Sequence, residues 1–77
     1  MNTVKITFLA NPLKEHKFLI ESLNIDLVEQ KLVMTWTYLE AEKEEFKTLK
    51  ELQITHKITK VKRMEIHLAE IAHIKIN

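Results

Sequence analysis

Between Thr3 and Ala10, apolar Val4, Ile6 and Phe8 alternate with Thr3, Lys5 and Thr7, the period-two pattern of a strand with one buried face. Asn11–Pro12 interrupts it. Asn is a favoured N-cap and Pro is at home at the first helical position, so the pair opens a short helix over about 12–22. Leu13, His16, Ile20 and Leu23 would lie on one face of it. A strand over Lys17–Leu27 competes, with Leu19, Leu23, Ile25 and Leu27 on one side and Glu21 breaking the pattern.

Lys31–Leu39 (KLVMTWTYL) carries the strongest strand signal. Val33, Thr35, Trp36, Thr37 and Tyr38 favour extended backbone, and Leu32, Met34, Trp36 and Tyr38 share a face. Asp26–Gln30 then forms the turn or loop leading in. The rival is one long helix over about 26–53, opened by a capping box of Asp26 and Glu29. Ile25, Val28, Leu32, Trp36, Leu39 and Phe46 follow helical spacing in that reading. The run Val-Met-Thr-Trp-Thr-Tyr is costly in a helix, which favours the strand.

Ala41–Leu52 reads as a helix with a narrow stripe of Phe46, Leu49 and Leu52. Glu40, Glu42, Glu44 and Glu45 crowd its start and Lys47 and Lys50 its end, as the macrodipole favours. Glu40–Lys43 and Glu44–Lys47 are favourable i,i+3 pairs. Gln53–Val61, Glu65–Leu68 and His73–Ile76 return to strand character. The three-residue steps from Leu68 to Ile71 to Ile74 break the strand phase, and a tight helical turn at Ala69–Ala72 accounts for them. The expected architecture is therefore α+β in one domain over 1–77. It is a small, mostly antiparallel sheet with a helix over about 41–52 and a shorter one over about 12–22. The core expected is Leu32, Met34, Trp36, Phe46, Leu49, Ile66, Leu68, Ile71 and Ile74. A helix-dominated chain, with its long helix over about 26–53 offering a face for self-association, is the alternative.

Composition narrows the chemistry more than the fold. The 77 residues contain no cysteine, no glycine, one proline and a lone serine, Ser22. Disulfides and thiol nucleophiles are excluded, the G-x-S-x-G elbow cannot form, and phosphate loops lack the glycine that lets backbone approach a ligand. His16, His56, His67 and His73 show no metal-binding spacing. Glu65 with His67, or His67 with Glu70, supplies two ligands where zinc takes four. The glutamates over 40–51 alternate with lysines as on a solvated helix face. No enzyme activity, cofactor or small-molecule substrate is expected.

Twelve basic and eleven acidic side chains nearly cancel, so net charge draws the chain to neither nucleic acid nor membrane. No apolar run approaches the roughly 18 residues of a membrane helix, and a cytoplasmic setting is expected. Domains this small are often helped by a partner, so a protein partner or self-association is expected. Two functions follow. One is a protein-binding accessory or inhibitor that occupies a partner's surface, of the kind phages and mobile elements encode, with Glu40, Glu44 and Glu45 as candidate docking residues. The other is a nucleic-acid-binding regulator using the basic segment 56–63 through Lys57, Lys60, Lys62 and Arg63. On one continuous strand those cations would divide, Lys60 and Lys62 on one face, Lys57 and Arg63 on the other. Trp36 and Tyr38 are the aromatics that could stack on bases.

Overall fold

The computed structural model describes residues 2–36 and 40–76, with the side chains of 40–45 excepted. The alternating start becomes β1 (Asn2–Phe8), whose inward Val4, Ile6 and Phe8 are all completely buried. A turn at Leu9–Ala10 leads into β2 (Asn11–Ile20), antiparallel to β1. No helix opens at Pro12, contrary to the capping signal. From the pair Phe8–Asn11 to the pair Ile6–His16, β1 advances two residues while β2 advances five, so residues 12–15 bulge outward. Pro12 lacks an N–H, and a bulge is where a strand tolerates that lack. The local preference for a helix yields to the burial of Phe18 and Ile20 on the inner face of the sheet, beside β1.

At Glu21 the chain turns a corner, and its N–H donates to the Thr35 carbonyl at 2.8 Å. β3 (Ser22–Asp26) then pairs with β4 (Lys31–Thr35), followed by α1 (Glu40–Glu51), β5 (His56–Ile58) and β6 (Arg63–His67). A 3₁₀ turn (Leu68–Glu70) carries the chain into β7 (Ile71–Ile76). Two antiparallel sheets result, ordered β2-β1-β7 and β3-β4-β6-β5. The continuations β2→β3 and β6→β7 pass from one sheet to the other, so the sheets join at two corners around one core. The long helix over 26–53 is ruled out by the β3–β4 hairpin. The strand expected over 31–39 ends as β4 at Thr35; Trp36 is buried as expected, while Tyr38 lies outside the described residues. The helix expected over 41–52 is displaced by one residue, and the expected helical turn at 69–72 is the 3₁₀ turn.

The core joins Val4, Ile6, Phe8, Phe18, Ile20, Leu32, Met34, Trp36, Leu49, Ile54, Met64 and Ile66. Of the expected core, Phe46, Leu68, Ile71 and Ile74 are half-buried at its margin. Each fully buried side chain of this size contributes about 1.5–3 kcal/mol relative to exposure. Phe8 meets Phe18 edge-to-face with centroids 6.4 Å apart, and Phe46 stacks on His56 at 6.3 Å.

The absence of glycine is felt at Gln30, Gln53 and Lys62, which hold positive φ of 55°, 57° and 56°. Gln53 ends α1 in a Schellman motif: its N–H donates to the Lys50 carbonyl and that of Ile54 to the Leu49 carbonyl. Buried Leu49 and Ile54 supply the accompanying apolar contact. A side chain in this left-handed conformation costs about 1 kcal/mol. Gln53→Gly is therefore expected to raise stability by up to about that amount, less the entropy glycine adds to the unfolded chain. A lowered urea midpoint would refute this.

His16 lies 5.4 Å from the Phe8 ring, and its buried Nε2 has no protein partner. Burial, and secondarily the positive Lys14, hold its pKa below the ordinary 6.5. The unfolded chain thus takes up the proton more readily than the folded one. This contribution to stability is intact above about pH 6.5 and is lost as pH falls below it, down to the folded pKa. His16→Leu is expected to flatten the decline in urea midpoint between about pH 7 and 5; a parallel decline in both proteins would count against it.

Candidate binding surfaces

The 3₁₀ turn organises one end of the molecule. The Leu68 N–H donates to the Gln30 carbonyl at 2.9 Å, and the Leu9 N–H donates to the Glu70 carbonyl at 3.0 Å. The β3–β4 turn and the β1–β2 turn are thereby tied to opposite ends of the same short segment. The β3–β4 turn is built by its only aspartate: Asp26 Oδ1 accepts from the Val28 and Glu29 N–H groups, both at 3.0 Å. Gln30 Nε2 closes it on the Leu27 carbonyl at 2.6 Å. What this rigid turn displays is apolar. Leu27 is 73% exposed and Val28 92%.

On the other flank Leu9 is also exposed, and beside it a cleft of about 170 Å³ opens between Leu9, Ala10, Leu52, Gln53, Ile54, Ala69 and Glu70. Three distant segments meet there. Glu70 fixes their arrangement, its Oε1 accepting from the Thr55 N–H at 2.8 Å. Its Oε2 is buried without a protein partner. The cleft has room for one side chain of leucine or methionine size.

The basic segment is not one strand. β5 ends at Ile58, Lys60 and Lys62 lie in the turn, and Arg63 begins β6, so the expected division between two faces of a strand is corrected. Pairing places Lys57 opposite Glu65, two residues from Arg63, which puts all three on the outer face of their sheet. Arg63 comes within 3.6 Å of Glu65. This acid dilutes the patch. The side chains of Glu40, Glu44 and Glu45 fall outside those described. Trp36 is buried against Phe46 and offers no stacking face. Glu65 and His67 do share a face, but among the described residues no three potential metal ligands gather.

A different cationic feature emerges on the outer face of β2-β1-β7. Lys5 pairs with Lys17 on one side and Lys75 on the other, making a row of three lysines straight across the sheet. Thr3, Thr7, Leu19 and His73 flank the row by register. No acid among the described residues forms an ion pair with any of the three. Sequence reasoning missed it because residues 5, 17 and 75 become neighbours through register. A plain continuation of the Phe8–Asn11 pairing would put residue 14 opposite Lys5; the bulge's three additional residues bring Lys17 there instead.

Comparisons with protein-family models, curated proteins and solved structures find no match to this chain.

Proposed function

We propose that the chain is a non-enzymatic accessory or inhibitor that docks onto a protein partner through the end organised by the 3₁₀ turn. The observation that carries this reading is the juxtaposition of a rigid apolar turn, Leu27–Val28, with the cleft beside Leu9 and Ala69. Hairpin tips ordinarily carry turn-forming polar residues. Here Asp26 and Gln30 do that work from the flanks and leave two aliphatic side chains in water. A prearranged display loses little conformational entropy on binding. The cleft adds a socket for an aliphatic side chain of the partner, so the two surfaces would interlock in the manner of a packed interface centre.

Capture on immobilised protein tests this. Wild-type protein is expected to retain a stoichiometric protein partner that Ala69→Arg does not, because an exposed arginine there obstructs the cleft. Equal retention by both would remove the cleft from the reading.

A further inference from the structure

We infer that the lysine row on β2-β1-β7 is a second binding site, for the phosphate backbone of a nucleic acid, independent of the apolar end. Like charges directly opposite one another on neighbouring strands destabilise a sheet. Lys17, Lys5 and Lys75 stand in that relation across three strands, with no acid among the described residues in an ion pair with them. Strands lie about 4.8 Å apart, so the backbones of the three lysines span a band about 10 Å wide, from which their flexible stems carry the charges outward. Such an arrangement raises the energy of the empty surface and is relieved by a polyanion. The basic segment at 57–63 lacks this character, because Glu65 stands among its cations.

The chemistry of the face selects the kind of polyanion. Centres of protein interfaces are depleted in lysine and anchored by aromatic residues and arginine. The face has none of those anchors: by register its large apolar side chain is exposed Leu19, with Leu13 and Glu15 exposed on the neighbouring bulge. Lysine is a point charge on a flexible stem, suited to phosphate without fixed geometry. The hydroxyls of Thr3 and Thr7 and the ring of His73 are the polar groups that such contacts to phosphate and sugar oxygens use. With no aromatic platform or arginine fork to read bases, binding is independent of sequence.

The test is fluorescence anisotropy with labelled 20-nucleotide duplex and single-stranded DNA of mixed sequence, titrated from 50 to 200 mM salt. Three phosphate contacts give a logarithmic salt slope near −2.7 on duplex, so affinity is expected to fall roughly 40-fold over that range. The variant Lys5→Thr/Lys17→Thr/Lys75→Thr is expected to abolish binding at 50 mM salt while its thermal midpoint holds or rises. Lys57→Gln/Lys60→Gln/Arg63→Gln is expected to bind within about twofold of wild type, since counterion release scales with the phosphates contacted. No binding at 50 mM salt would overturn the inference, as would equal loss in both variants. Equally tight binding of poly-glutamate would overturn it in favour of an acidic protein surface. The apolar end is untouched by these variants, so retained capture of a protein partner separates this outcome from the proposal above.

Discussion

Phe8→Ala is expected to remove about 3–5 kcal/mol of stability. A domain of this length has in total roughly 4–12 kcal/mol, at about 0.05–0.15 kcal/mol per residue. Phe8 is completely buried, packs edge-to-face on Phe18 and touches the His16 ring. It also sits where both neighbouring strands change register, paired with Asn11 in β2 and Ile71 in β7. Removing the ring leaves a cavity between two irregular strand pairings that cannot both collapse into it. Equilibrium urea unfolding followed by circular dichroism gives the value. A loss below about 1 kcal/mol would place the principal core elsewhere, because cavity costs at buried aromatic positions exceed that.

Leu27→Asp/Val28→Asp is expected to weaken binding of a captured protein partner by about 100-fold or more while leaving the thermal midpoint nearly unchanged. The two effects separate because both side chains are mostly in water in the free protein. Their backbone is held by Asp26 and Gln30, neither of which is altered. Anchor residues of interfaces cost about 2 kcal/mol or more when lost, and two carboxylates buried against an apolar partner add an unpaired-charge penalty. Isothermal titration calorimetry on the purified pair supplies the affinity. An unchanged Kd would show that the turn stands outside the interface.

Much of the local structure was legible from residue order. The alternation of Val4, Ile6 and Phe8, the inward Leu32, Met34 and Trp36, and the charge-graded helix all formed as their patterns require. Even the three-residue steps through Leu68, Ile71 and Ile74 revealed the turn that resets the strand phase. These signals survive because each reports on its own segment's burial. The expected core lacks Val4, Ile6 and Phe8, whose strand period is plain but whose partners are distant; it also lacks Phe18 and Ile20, which the helical reading takes up, and Met64 and Ile54, which carry no clear period.

The sequence by itself therefore determined the first strand, the acidic-to-basic helix, and the lack of cysteine and glycine that thiol and phosphate-loop chemistry need; the β3–β4 hairpin decided against the helix-dominated alternative. Tertiary structure decided the surfaces. Asn11–Pro12 has the chemistry of a helix start, yet the core's demand for Phe18 and Ile20 put Asn11 into the β1 ladder and Pro12 into the bulge that follows. That bulge moved Lys17 opposite Lys5, and the return of β7 brought Lys75 to the other side. The cleft likewise exists only where the β1–β2 turn, the end of α1 and the 3₁₀ turn meet. Helical and strand periods act between residues a few positions apart; register and corner geometry act across the whole chain. Binding surfaces in a chain without motif chemistry belong to the second kind.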